Sequence, residues 1–149
     1  MRNILIISFL LLQIINAFSQ DLSKETNFKQ LLFDCRGDSV YIELPSDFIG
    51  PKYDGGEEGP IVFFYAKDLS FVSVLCAGNT ILQLDSNYIK VDSIKTEKTY
   101  NVLYFNKEKN LYGRMLQTKK HFYMYSDATL KRKQDLDKTF KILEGKDNN

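Results

Sequence analysis

The sequence predicts an α+β domain, a mostly antiparallel meander sheet of about six to seven strands with a C-terminal helix packed on one face. Three observations carry this. Between Tyr100 and Tyr125, β-branched, aromatic and long apolar residues form three runs separated by short polar segments. The period then changes, and Leu136, Phe140 and Leu143 recur at helical spacing within a charged stretch. Upstream, further strand-like runs alternate with Gly, Asn, Asp and Ser turns between Ile61 and Lys95.

The chain opens on an export signal. Arg2 precedes an apolar run from Ile4 to Ile15, and Ala17 and Ser19 put small residues at the two positions a signal peptidase reads. Residues 1–19 are therefore read as a signal peptide cleaved before Gln20, with the product periplasmic or secreted. The run is about 12 residues against the roughly 20 that cross a bilayer, so no stable membrane insertion is expected after cleavage. Loss of Arg2 leaves 19 of the 20 basic side chains against 19 acidic ones, a formal net charge of zero. A protein that coats phosphate backbones shows a basic excess, so no nucleic-acid partner is expected. Residues 20–149 are read as a single domain with 28–143 as its folded part, long enough to bury one core.

In chain order, Gln20 to Asn27 reads as a polar lead-in. From Phe28 to Leu44, the helical spacing of Phe28, Leu31, Leu32 and Cys35 competes with a hairpin, in which Arg36-Gly37-Asp38-Ser39 turns between Leu31-Leu32-Phe33 and the alternating run Val40 to Leu44. The hairpin is preferred. Pro45 ends its second strand, and residues 50–60, with four Gly and two Pro, read as a loop. Strands are expected at 61–66, 71–76, 80–84, 89–95, 100–105, 111–118 and 121–125. A helix over 127–144 follows, capped by Ser126 or Asp127 and ended by Gly145. Its polar side offers charge pairs four residues apart at Lys131/Asp135, Lys133/Asp137 and Asp137/Lys141. An apolar stripe this narrow cannot hold a helix alone, so it must dock on the sheet.

The segment Ile42-Glu43-Leu44-Pro45-Ser46-Asp47-Phe48, ending a first hairpin and followed by a Gly-rich loop, meander strands and a charged C-terminal helix, resembles the PsbP-like fold. That group includes photosystem extrinsic proteins, a Ran-binding nuclear transport factor and periplasmic immunity proteins. The resemblance covers residues 28–143 in order of elements. It carries over no functional residue, because one fold hosts unrelated activities.

Cys35 and Cys76 are the only cysteines in a chain read as exported, so a disulfide is the leading expectation, with two separate buried thiols as the alternative. Such a bridge would close a loop of about 42 residues, worth on the order of 4 kcal/mol. A Cys nucleophile with His121, the sole histidine, as base is a minor alternative, since a solvated His beside Lys120 is the plain expectation. Asp54, Glu57 and Glu58 gather carboxylates without EF-hand spacing and read as a solvated loop, so no metal site and no cofactor are predicted. Arg36-Gly37-Asp38 spells an adhesion tripeptide, though the same letters suit a β-turn.

Tyr100, Tyr104, Tyr112, Arg114 and Tyr123 together suggest an aromatic and cationic surface for a partner, in the competing expectation that half of these tyrosines face the helix. The function expected is that of a small exported, non-enzymatic protein-binding domain, of inhibitor or immunity type, with another exported protein as partner. A small-ligand or lipid binder using a sheet cavity is the alternative, and an uncharacterised hydrolase the third reading.

Overall fold

The computed structural model describes residues 26–35, 37–53, 59–76 and 84–146. Their elements are β1 (Phe28–Cys35), β2 (Asp38–Pro45), β3 (Ile49–Tyr53), β4 (Ile61–Tyr65), β5 (Ser70–Cys76), β6 (Tyr88–Lys95), β7 (Tyr100–Asn106), β8 (Leu111–Gln117), β9 (His121–Ala128) and α1 (Leu130–Lys146). The chain is thus α+β and mostly β, with antiparallel pairing at every described strand contact and the C-terminal helix packed on the sheet.

β1 and β2 form the expected hairpin, with Cys35 opposite Asp38. Gly37 takes φ 85°, open to glycine at no steric cost, and its amide donates to Asp34 Oδ1 at 2.7 Å. This hairpin is a sheet of its own. The other seven strands run β3-β4-β5-β9-β8-β7-β6. The expected continuous meander is therefore corrected to two meanders, β3 to β5 and β6 to β9, joined where β5 lies against β9. The predicted loop at 50–60 is in part strand, since β3 pairs with β4 across an irregularity at Gly50 and Pro51. The expected strand at 80–84 lies outside the described residues except for Leu84, which is coil.

Period-two alternation gives this sheet two faces. One carries Phe63, Tyr65, Val72, Val74, Tyr123, Tyr125 and Leu116, all at most 1 % exposed. The hairpin and α1 lie on that face. Val40, Ile42 and Leu44 enter the core from β2, and Phe63 meets Phe33 at 6.2 Å and Phe48 at 5.3 Å. Leu136, Phe140 and Leu143 enter it from α1, the stripe predicted from their spacing, with Phe140 edge-on to Tyr125 at 5.1 Å. On the reverse face Leu84 and Tyr88 approach Gly113.

The helix starts later than its caps predict. β9 runs to Ala128, and a bulge opposite Tyr112 and Arg114 puts Asp127 at φ 56°, a left-handed conformation that Asp tolerates. Asp127 and Ser126 bond to each other and to Tyr88, which leaves Thr129 as the cap, its Oγ1 accepting from the Arg132 amide at 3.3 Å. Gly145 lies inside the last turn instead of ending the helix.

Candidate functional site

Face coverage is uneven. The hairpin lies over β4 and β5, α1 lies against β2, β8 and β9, and β6 is exposed at every residue after Tyr88. In the strip of core-side face beside the helix, β6 is exposed at Ile89, Asp92 and Ile94, while β7 is half-buried at Leu103 and Phe105 and buried at Asn101.

Cross-strand register orders the strip into rows. Arg114 of β8, Leu103 of β7 and Asp92 of β6 form one row, running from the helix outward. Tyr112, Phe105 and Ile89 form the next row, with Phe105 and Tyr112 rings 4.8 Å apart. Leu116, Asn101 and Ile94 form the row on the other side. Val91 is the extra residue of a bulge between Lys90 and Asp92, and this insertion brings Ile89 and Ile94 to the same face. Ile89 is 45 % and Ile94 52 % exposed.

Where the strip meets α1 the polar groups are fixed. Asp137 Oδ1 accepts from Arg114 Nη1 and from the Tyr125 hydroxyl, each at 2.8 Å, and Oδ2 accepts from Lys133 Nζ at 2.6 Å. Asn101, itself buried, accepts from Arg114 Nε at 2.8 Å and donates to Glu144 Oε2 at 3.4 Å. Lys133 also stands 5.6 Å from the Tyr112 ring centroid. Arg114 thereby uses two of its five N–H donors, and the other three find no acceptor among the described residues. A cleft of about 220 Å³ separates this cluster from Asp92 and Ile94.

Protonation in the cluster is held at its extremes. Burial raises the Asp137 carboxyl, but the bonds from Lys133, Arg114 and Tyr125 outweigh it and hold the group below the usual carboxylate range. Burial, aided by the Asp137 charge, pushes the Tyr125 phenol far above its ordinary value. The cluster therefore presents fixed charge and directed donors, and neither Asp137 nor Tyr125 exchanges a proton near neutrality.

Of the five residues expected to form a partner surface, the structure brings Tyr112 and Arg114 into this cluster. Tyr100, 38 % exposed, and Tyr104 lie on the reverse face of β7 by alternation. Tyr123 is 1 % exposed and belongs to the core, so the five are not one surface. Sequence reasoning missed Asp92, Leu103 and Lys133. The Lys133/Asp137 spacing was their one visible signal, and it reads equally as a solvated helix pair.

Cys35 and Cys76 form the expected disulfide, with Cα atoms 5.1 Å apart, and it ties the hairpin to β5. Both thiols are consumed by it. His121 lies opposite Cys76 across β5 and β9 and is 7 % exposed, which corrects its expected solvation. Among the described residues no group of three or more His, Cys, Asp and Glu could hold a metal ion, while residues 54–58 of the carboxylate loop lie outside them. Arg36 of the adhesion-like tripeptide also lies outside. No described helix is long and apolar enough to cross a membrane. A second cleft, about 360 Å³, opens at the start of α1, where Arg132 pairs with both Asp47 and Asp68 and Lys67 stands 3.8 Å from Asp47.

Compared with known proteins, the chain matches no family model, no curated protein and no solved structure.

Proposed function

We propose that the chain is an exported binding domain whose partner is another polypeptide, docked on the core-side face of β6 and β7 beside α1. The row running from Arg114, bonded to α1, through the half-buried Leu103 to the exposed Asp92 carries this reading, because an apolar centre between opposite charges suits a specific protein contact. Asp137 and Tyr125, held in single protonation states, favour recognition over acid–base chemistry. The Cys35–Cys76 bridge supports an oxidising compartment after removal of residues 1–19. An inhibitor or immunity role is the form of binding that the PsbP-like resemblance suggests.

The test immobilises the tagged chain from Gln20 onward and exposes it to the exported fraction of its natural host, with captured proteins identified by mass spectrometry. The wild type is expected to capture a defined protein, and Leu103→Asp, shown folded by circular dichroism, to lose it. Capture that survives Leu103→Asp, or no capture by the wild type, overturns the reading.

A further inference from the structure

We infer that the cleft of about 220 Å³ between β6 and α1 is a binding site for a small zwitterion, an α-amino acid with an apolar side chain. The inference goes beyond the docking reading and does not rest on it.

The inner wall of the cleft is cationic and short of acceptors. Arg114 and Lys133 share the single carboxylate of Asp137, so this wall carries one positive charge in excess. Glu144, which accepts from Asn101 Nδ2 at 3.4 Å, does not line the cleft. The Arg114 guanidinium is held from two sides, donating from Nε to Asn101 Oδ1 and from Nη1 to Asp137 Oδ1. Its Nη2 has no acceptor among the described residues, although the side chain is largely covered. A guanidinium fixed by its own protein and still short of acceptors receives a carboxylate without reorganising.

The outer wall is of opposite sign. Asp92 stands exposed on β6, in the same cross-strand row as Arg114. Its Oδ1 accepts from the Ser93 amide at 2.8 Å, which fixes the carboxylate, and its Oδ2 has no partner among the described residues. Between the walls lie Leu103, midway along the row and half-buried, and Ile94, exposed on the adjacent row. Arg114 and Asp92 are two strand spacings apart, roughly 10 Å between Cα atoms. The head group of an α-amino acid, with a hydrogen bond at each end, reaches roughly 8 to 9 Å. It therefore touches both walls at once, carboxylate inward on Arg114 and ammonium outward on Asp92.

Other ligand classes match less of the cleft. A simple anion would face the like charge of Asp92, and a simple cation would face Arg114 and Lys133. A zwitterion brings no net charge, meets both walls and lays its side chain over Leu103 and Ile94, where apolar atoms leave water. The volume sets the size, for it lies below the roughly 300 to 1,000 Å³ of sites that take drug-sized molecules.

The test titrates the nitrogen-15-labelled chain from Gln20 onward with L-leucine and follows the Ser93 amide, the Arg114 Nε–H and the Asn101 side-chain amide by NMR. Saturable shifts at these groups are expected with a Kd on the order of 1 mM, the affinity so small a ligand supplies at ordinary efficiency. N-acetyl-L-leucine lacks the ammonium and L-leucine amide lacks the carboxylate, and each should bind at least about fivefold more weakly. Asp92→Asn, an exposed site with folding checked by circular dichroism, should weaken L-leucine about three- to tenfold without weakening N-acetyl-L-leucine. No saturable shift up to about 20 mM L-leucine, equal binding of either blocked analogue, or an Asp92→Asn variant as tight as the wild type overturns the inference. Protein capture through Leu103 is a separate readout, so either reading can fail alone.

Discussion

Arg132 and Asp47 are joined by two parallel hydrogen bonds, Nη1 to Oδ1 at 2.8 Å and Nη2 to Oδ2 at 2.7 Å, across 85 residues of chain. The same guanidinium donates from Nε to Asp68 at 2.9 Å and lies 3.9 Å over the Tyr65 ring. One side chain from the first turn of α1 thus holds the turn after β2, the turn after β4 and the sheet face beneath. A planar five-donor fork can do this and an ammonium cannot. Arg132→Lys is expected to cost about 2 kcal/mol, and Arg132→Ala about 3 kcal/mol because it leaves Asp68 without its cation. Thermal melts check both, and a Lys variant as stable as the wild type would refute the clamp.

Acid should destabilise the fold through two carboxylates. Asp47 is held below the usual range by its bonds from Arg132, and Asp137 by bonds from Lys133, Arg114 and Tyr125 that outweigh its burial. Each binds fewer protons folded than unfolded over that interval, so stability rises with pH there. The contribution is complete above the ordinary carboxylate value of about 3.9 and disappears as pH falls through the lowered native values. Urea titrations should show little dependence from these groups between about pH 5 and 7 and a decline below about pH 4. Asp137→Asn should be less stable at neutrality and show a shallower decline. An identical slope in that variant would remove Asp137 from the account.

The bridge between Cys35 and Cys76 spans a sequence separation of 41 and joins the hairpin to the main sheet. Chain-entropy reasoning assigns such a cross-link about 4 kcal/mol. Thiol titration of unreduced protein should find no free cysteine, and Cys35→Ser with Cys76→Ser should lose about that much in urea unfolding. An unchanged midpoint would show that the hairpin's own burial suffices.

Local pattern made part of this architecture legible. Leu136, Phe140 and Leu143 announce a buried stripe because a helix repeats every 3.6 residues, and Val40 to Leu44 announce a strand because pleating repeats every two. The pairing of β5 with β9 is invisible to such reasoning, since strand neighbours distant in sequence leave no periodic trace. The helix start was misplaced for a related reason. Ser126 and Asp127 are good caps in isolation, but Tyr88, 39 residues away from Asp127, takes their bonds into a bulge. At the candidate site Tyr112 and Arg114 stood out by type, whereas Asp92 and Leu103 acquire meaning only from the register that sets them in one row with Arg114.

Two tyrosines predicted together should now separate. Tyr123 is 1 % exposed in the core and Tyr100 38 % exposed on the reverse face of β7. Tyr123→Ala is expected to destabilise by about 3 to 5 kcal/mol, matching Phe140→Ala, because both leave cavities where neighbours cannot collapse. Tyr100→Ala should stay within about 1 kcal/mol of the wild type. Equal losses at the two positions would mean that the reverse face is as closely packed as the core.

Gly113 reports on that reverse face. A Cβ placed there would stand 2.9 and 3.1 Å from the two methyls of Leu84 and 3.3 Å from Cε1 of Tyr88. The Leu84 methyls are the free end of a side chain and can turn aside. Tyr88 has less freedom, because its hydroxyl donates to Asp127 Oδ1 at 3.1 Å and accepts from the Asp127 amide at 3.0 Å. Gly113→Ala should therefore cost about 1 to 3 kcal/mol through displaced packing, since the backbone of Gly113 is not in the left-handed region. Leu84→Ala removes the nearest obstacle. In the double variant the two losses should fall short of their sum by about 1 kcal/mol, a coupling that only contacting residues show. Strict additivity in urea unfolding would mean that Leu84 does not rest on Gly113, and that the reverse face is covered in some other way.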